Sequence, residues 1–102
     1  MQERAFSSEF DPTIGTLRIS GVIDEAAGDS LREALRVGSG DFSRDLVVDL
    51  NDVDFLPSMA VGVLATARNT AEDAGFRLEL VAQDGTLAQR VLQVCAMPYR
   101  AS

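Results

Sequence analysis

Residues 46–74 read LVVDLNDVDFLPSMAVGVLATARNTAEDA, a buried strand that runs through a short loop into a helix. Residues 46–50 form a nearly continuous apolar run with β-branched members, which predicts a strand covered on both faces. The Asn51-Asp52 pair is typical of a turn, so we expect the strand to end there. This segment therefore predicts a strand, loop and helix from which the rest of the fold can be built.

A helix is predicted to begin after the loop, at about Met59. Pro57 has no backbone N–H and fixes its own φ, and Ser58 is a favoured N-cap residue whose oxygen can accept from the N–H groups of the first turn. Because the apolar stripe that follows is mostly alanine, we expect the helix to lie close to a sheet with its start facing solvent. The stripe recurs at spacings of three and four and stops before Gly75: Ala60, Val63, Leu64, Ala67, Ala71 and Ala74.

Composition bounds the size and class of the protein. The chain has 102 residues, of which 46% are apolar, enough for one domain over 1–102 that buries roughly 65% of the surface of its unfolded chain. It contains no apolar stretch of the roughly 20 residues that a membrane span requires. Its N-terminus, MQERAFSSEF, does not resemble a secretory signal. We therefore expect a soluble, cytoplasmic protein.

Residue content argues against several kinds of site. The chain has no histidine, and its one cysteine, Cys95, cannot form an intrachain disulfide. Common acid–base and metal chemistries therefore lack their usual group, and we expect no enzyme activity, no metal and no cofactor. The net charge of −7 and the scattered Lys and Arg argue against direct nucleic acid binding. Cys95 is interpreted as a small buried apolar residue on the last helix.

Upstream of the opening segment, the sequence predicts a β-hairpin and a helix. Residues 5–10 alternate weakly and 16–20 alternate cleanly, with the turn cluster DPTIG between them. Residues 21–24 close the second strand, and 25–37 carry apolar residues on one helical face. Asp24 is a candidate N-cap for that helix, where a carboxylate is favoured.

Downstream, the sequence predicts one more strand and one more helix. Residues 76–82 form the strand, with Phe76, Leu78 and Leu80 on one face. After a turn, Thr86 is a plausible N-cap for the last amphipathic helix. The element order β-β-α-β-α-β-α predicts an α/β (mixed α+β) fold, in which helices shield a mixed sheet through right-handed crossovers.

Four short motifs stand out in this predicted order: GVID at 21–24 before the first helix, VDL at 48–50 in the central strand, FLPSMAVGVL at 55–64 at the junction and AG at 74–75 before the next strand. They resemble the STAS domain, and most closely the bacterial anti-sigma-factor antagonists, over about residues 5–97. The resemblance implies a STAS-like mixed β-sheet with helices packed on it, and a binding protein rather than an enzyme.

The junction before the central helix carries the most specific part of the resemblance. In that family it commonly reads as an aromatic or apolar pair, then Asp-Ser-Ser-Gly, an apolar residue and Gly-Val-Leu. Ser58 aligns with the serine that an anti-sigma-factor kinase phosphorylates, and Gly62 is retained. Pro57, Met59 and Ala60 replace the usual Asp, Ser and Gly.

The resemblance implies a switch between protein partners. An unphosphorylated antagonist binds an anti-sigma factor of the GHKL ATPase fold, which is also a serine kinase, and so frees a sigma factor. The phosphorylated form does not bind, and a PP2C-type phosphatase restores it. Ser58 is then the phosphorylation site, and the implied partner-binding residues are Asp24, Asp54, Pro57, Ser58, Met59, Val61 and Gly62.

Several alternatives stay open from the sequence. Ser58 is interpreted either as a helix cap alone or as a switch residue, and Asp24 either as a cap, as a partner contact or as both. Asp52 and Asp54 are interpreted as turn and solvated charges, or as partners for Arg or Lys of another protein. The chain as a whole also fits a STAS scaffold that is never phosphorylated, such as the small cytosolic subunit that supports the ATPase of a lipid-transport ABC system.

Overall fold

A computed structural model describes residues 4–101 as a four-stranded mixed sheet with three α-helices. The strands lie in chain order, with β1 and β2 antiparallel and with β2, β3 and β4 parallel to one another. The predicted element order and mixed fold are confirmed. The elements are β1 Ser7–Asp11, β2 Thr16–Val22, a 3-10 turn Glu25–Ala27, α1 Gly28–Gly38, β3 Leu46–Phe55, α2 Ser58–Asp73, β4 Leu78–Val81 and α3 Leu87–Val94.

The helices α1 and α2 shield the same face of the sheet. Each connects two neighbouring parallel strands in the same direction across the sheet, so right-handed crossovers place both on one side. They contact each other there, while α3 packs against β3. Apolar side chains from strands and helices form one core cluster, whose fully buried members include Leu17, Ile19, Leu31, Leu50, Leu64, Leu80 and Leu92.

The small-residue stripe of α2 packs largely as predicted. Five of its members are buried, and the chain leaves the helix through Gly75 at a φ of +87°, which favours glycine. Ala74, predicted as the end of the stripe, is exposed because it is the C-cap residue. The buried members of the stripe are Ala60, Val63, Leu64, Ala67 and Ala71.

No helix within residues 4–101 has the length and apolar character needed to cross a membrane.

The strand β3 is longer than the sequence predicts. The Asn51-Asp52 pair was expected to end it, but β3 continues to Phe55. Near Asn51, β3 has one more residue than the facing part of β2, which is a β-bulge. The bulge lets the strand continue through the polar pair. The Asn51 side chain is satisfied there, because its Oδ1 accepts from the Gln83 N–H at 2.7 Å. The longer strand leads almost directly to Ser58.

The predictions for the last strand and helix hold in part. Thr86 caps α3 as predicted, accepting from the Gln89 N–H at 3.1 Å. Phe76 was predicted to be in the strand, but β4 begins only at Leu78 and Phe76 is 36% exposed. The prediction that Cys95 is buried is also wrong, because it lies at the C-cap of α3 and is exposed.

Gly21, at the end of β2, is required by close backbone contact. Its φ is +83°, and a Cβ at this position would lie 2.1 Å from the Ala5 carbonyl oxygen. The same close approach lets the Val22 N–H donate to the Arg4 carbonyl at 3.0 Å. Gly21 therefore allows the segment before β1 to lie across the end of β2.

Replacing Gly21 tests this contact. We expect Gly21→Ala to lower the free energy of unfolding by about 3 kcal/mol or more, because it adds a backbone clash to an unfavourable φ. Gly15→Ala is the matched control: Gly15 has a φ of +65° and no atom near an added Cβ, so about 1 kcal/mol is expected. Equal losses for the two variants in chemical denaturation would contradict the role given to the Ala5 contact.

Candidate functional site

The carboxyl ends of β2 and β3 meet at one edge of the sheet, and both strands lead into helices there. The Ile23 N–H donates to the Phe55 carbonyl at 3.2 Å, and this hydrogen bond holds the segments that leave β2 and β3 side by side. Asp24 and Ser58 follow in these segments, at the start of the 3-10 turn and of α2. The fold thus brings two of the predicted site residues, 34 positions apart in the chain, to the same edge.

Ser58 is the first residue of α2, so the prediction that it is the N-cap is wrong. Pro57 takes the cap position in an extended conformation, with φ −74° and ψ 167°, and provides no side-chain cap. Helical geometry therefore begins one residue earlier than predicted. Ser58 is exposed, while Pro57 is half-buried. Capping does not explain a serine at this position.

Asp24 does have a capping role. Its backbone is extended, and its Oδ1 accepts from the Ala27 N–H at 3.0 Å. A cap of this type contributes about 1 kcal/mol of stability. The side chain is nevertheless exposed, and a second role in partner contact stays a prediction.

Asp54 is held by an arginine that the sequence analysis did not connect with it. Arg4 Nε lies 2.7 Å from Asp54 Oδ2 and Arg4 Nη2 lies 2.9 Å from Oδ1, a bidentate pair. The same Nη2 donates to the Asp52 carbonyl at 2.6 Å. Hydrogen bonding to Arg4, followed by its charge, lowers the pKa of Asp54. No local pattern predicts a contact between residues 50 positions apart.

Met59 and Gly62 lie on the side of α2 that faces α1. Met59 is half-buried, and its Sδ would be 3.2 Å from a Cβ added to Gly28, so the starts of the two helices are in contact. Gly62 is exposed, with no atom within 4 Å of an added Cβ. Val61 is only 8% exposed and belongs to the core cluster. The inclusion of Val61 among partner-binding residues is therefore corrected, because its side chain offers little surface.

Phe55 is a candidate site residue that the sequence analysis missed. It ends β3 with 49% of its surface exposed, next to the loop that carries Ser58. Exposed aromatic side chains are enriched at protein interfaces. The strand was predicted to end after Leu50. The alternation of its side chains was therefore not extended to Phe55, and this exposure was not predicted. We call Asp24, Phe55, Ser58, Met59 and Gly62 the edge surface.

Comparison with known proteins identifies the family of this chain. Residues 5–97 match the family model of the STAS domain. The chain belongs to the STAS domain family. The match covers all four strands and all three helices of residues 4–101 and includes the whole edge surface.

Three solved structures share the fold of this STAS domain. An anti-sigma factor antagonist from Mycobacterium paratuberculosis is 21% identical with a TM-score of 0.79, over 96% of this chain and 87% of that one. The anti-sigma factor antagonist SpoIIAA in its unphosphorylated form is 21% identical with a TM-score of 0.68, over 91% and 82%. A putative anti-sigma factor antagonist from Thermotoga maritima is 13% identical with a TM-score of 0.67, over 95% and 86%. At these identities the likeness shows the fold.

The pair between Arg4 and Asp54 predicts a measurable titration in this STAS domain. We expect the Asp54 carboxyl to titrate below its ordinary pKa of about 3.9 and to return towards that value in Arg4→Gln. Because the folded pKa is lowered, the pair stabilises the fold above about pH 4 and loses this effect as pH falls through the lowered pKa. Carboxyl-carbon NMR measures the titration directly.

The control for this titration is Arg90→Gln, which removes an exposed arginine from α3 instead. It should leave the Asp54 titration unchanged. An ordinary Asp54 pKa in the unaltered protein, or equal changes in both variants, would contradict the assignment of the shift to Arg4.

Proposed function

We propose that this STAS domain is a cytoplasmic anti-sigma-factor antagonist. It binds an anti-sigma factor of the GHKL fold that is also a serine kinase, and so releases a sigma factor. Phosphorylation of Ser58 by that kinase ends the binding, and a PP2C-type phosphatase restores it. The supporting observation is an exposed serine that opens α2 without capping it, on an edge surface that also holds an exposed aromatic residue.

Ser58 is placed where a phosphate is compatible with the fold. The first N–H groups of a helix have no partner within the helix, and they lie at the positive end of its dipole. A phosphate on the Ser58 hydroxyl would meet these groups, an arrangement that favours anion binding. The first turn of α2 contains no acidic residue that would oppose it. Modification is therefore expected to leave the fold intact and to act on binding.

The size of the charge change is sufficient for a switch. Phosphoserine adds about −1.5 to −2 charges at neutral pH. At about 6 Å from a partner carboxylate, with an effective dielectric constant near 20, the repulsion is about 4–5 kcal/mol before screening. A term of that size weakens binding by roughly three decades. The exposed Asp24 and the net charge of −7 place further negative charge on the same protein.

Known structures of similar fold support the kind of partner. Two are described as anti-sigma factor antagonists and a third as a putative one, and SpoIIAA is described in an unphosphorylated form. The proposed role is binding, and it asks no catalysis of this chain. The alternative of a constitutive scaffold for an ABC-transporter ATPase places no demand on an exposed serine at the start of α2.

Gly62 supports the use of this surface for close contact. Glycine inside a helix costs about 1 kcal/mol relative to alanine, and no packing contact within residues 4–101 requires it, because an added Cβ would meet none of their atoms within 4 Å. Ser58 and Gly62 are one helical turn apart, so they present neighbouring positions on the same side of α2. A partner backbone that approaches Ser58 closely would explain the glycine.

Replacing Gly62 should separate stability from binding. We expect Gly62→Ala to raise the free energy of unfolding by about 0.5–1 kcal/mol, because alanine favours the helix. The same variant should bind the anti-sigma factor about tenfold more weakly, since the methyl group occupies the contact. Asn69→Ala is the control: Asn69 is exposed on α2 outside the edge surface, so this change should raise stability and leave the affinity unchanged. Unaltered affinity in Gly62→Ala would exclude this contact.

Phosphorylation is tested by incubating the protein with ATP, magnesium and each GHKL-type anti-sigma factor candidate of the same genome. Intact mass and peptide mapping should show one phosphate, on Ser58, and none in Ser58→Ala. The phosphorylated protein should lose most of its affinity for that kinase. If a kinase binds this domain tightly but never modifies it, the phosphorylation switch is wrong and a constitutive scaffold becomes the better account.

A further inference from the structure

An open groove of about 510 Å³ runs between α1 and α2. Along α2 it extends from Met59 to Thr70, which is about 16 Å at the rise of a helix. Its volume falls in the range of small-molecule sites, roughly 300–1,000 Å³. It begins within the edge surface, where Met59 and Gly62 line it, and continues along α2 away from that surface. The groove is thus an elongated cavity of a size that suits one small ligand.

The floor of the groove is apolar. Leu35 contributes from α1, while Val63 and Ala67 contribute from α2. These three side chains belong to the buried core, and Phe42 and Met59 pack against them while half-exposed. The exposed apolar surface of the groove therefore comes mainly from Phe42 and Met59 over a buried base, and hydroxyl side chains of α2 line its mouth.

A strained loop holds Phe42 at the wall of this groove. Gly40, Asp41 and Phe42 have φ values of +61°, +64° and +60° in succession, a conformation that non-glycine residues adopt at a cost. The buried Ser39 Oγ accepts from the Phe42 N–H at 2.9 Å and donates to the Arg36 carbonyl at 3.1 Å. The fold thus holds Phe42 at the groove in a strained backbone conformation. Residues with such strain cluster at ligand sites.

The charges of the groove are of one sign. Arg32 and Arg36 are the charged residues that line it, on a protein with a net charge of −7. Arg36 is engaged by Glu33 and by Asp41. Arg32 pairs only with Asp29 among the described residues, at 2.9 Å, and the Asp29 side chain is 98% exposed. Exposed pairs of this kind are weak, so the Arg32 guanidinium can form an ion pair with an anionic group of a ligand instead.

We propose that the groove binds one free, single-chain anionic amphiphile, such as a medium-chain fatty acid. Its aliphatic chain lies along the groove beside Phe42 and Met59, and its carboxylate pairs with Arg32. A free molecule fits better than a membrane surface, because the groove is a concave site of about 510 Å³ between two helices, which suits one small ligand. This site does not depend on the phosphorylation of Ser58 or on the identity of a protein partner.

The test is an NMR and calorimetric titration of the protein with dodecanoate below its micelle concentration. We expect one molecule per chain, with the largest amide shifts at Phe42, Met59, Val63 and Thr66. Arg32→Gln should weaken dodecanoate binding by about tenfold, because it removes a charge-assisted contact. The same variant should leave binding of decanol, a neutral ten-carbon alcohol, unchanged, and butyrate, whose chain is too short to fill the groove, should not bind.

Two surface variants show whether the groove itself is used. Thr66→Phe places a ring over the groove from its exposed rim, whereas Asn69→Phe adds the same ring outside it on the same helix. We expect the first to abolish dodecanoate binding and the second to preserve it. Equal effects of the two variants, dispersed amide shifts without saturation, or sedimentation with lipid vesicles in place of binding to monomeric dodecanoate would each overturn the proposal.

Discussion

The parallel pairing of β2 with β3 is the constraint on which the edge surface depends. Parallel strands end at the same edge of a sheet, and the hydrogen bond from Ile23 N–H to the Phe55 carbonyl holds the two ends together. Right-handed crossovers then place α1 and α2 on one face with their starts at that edge. The contact between Met59 and Gly28 is a consequence of this arrangement. A serine at the start of α2 thereby comes to lie at the same edge as Asp24, the acidic cap of the 3-10 turn that precedes α1.

Several residues on this edge are not those that stability alone would select. An exposed glycine lies inside α2, an exposed phenylalanine ends β3, and the serine that opens α2 does not cap it. Departures from local rules are expected at functional sites. The succession of left-handed residues at 40–42 is a second cluster of this kind, beside the groove between the helices. Away from these two clusters, Thr86 caps α3 as its residue type predicts, and the core is aliphatic.

The element order and the helix face of α2 could be predicted because hydrophobic periodicity is local. The sequence also predicts the caps at Asp24 and Thr86, where one residue type and a neighbouring N–H suffice. The end of β3 was misplaced, because a bulge and the Asn51 contact with Gln83 overrode the local turn signal. Because of that error, the exposure of Phe55 was not predicted. The pair between Arg4 and Asp54 required the folded chain, since it joins residues 50 positions apart.

We propose that the protein partner binds at the edge around Ser58. Hydrogen–deuterium exchange of the unphosphorylated protein, alone and in complex with its anti-sigma factor, tests this binding site. We expect new protection in residues 23–28 and 55–62, with little change in β1 and α3. Protection confined to β1 or α3, with the 55–62 segment exchanging as in the free protein, would show that the partner binds elsewhere.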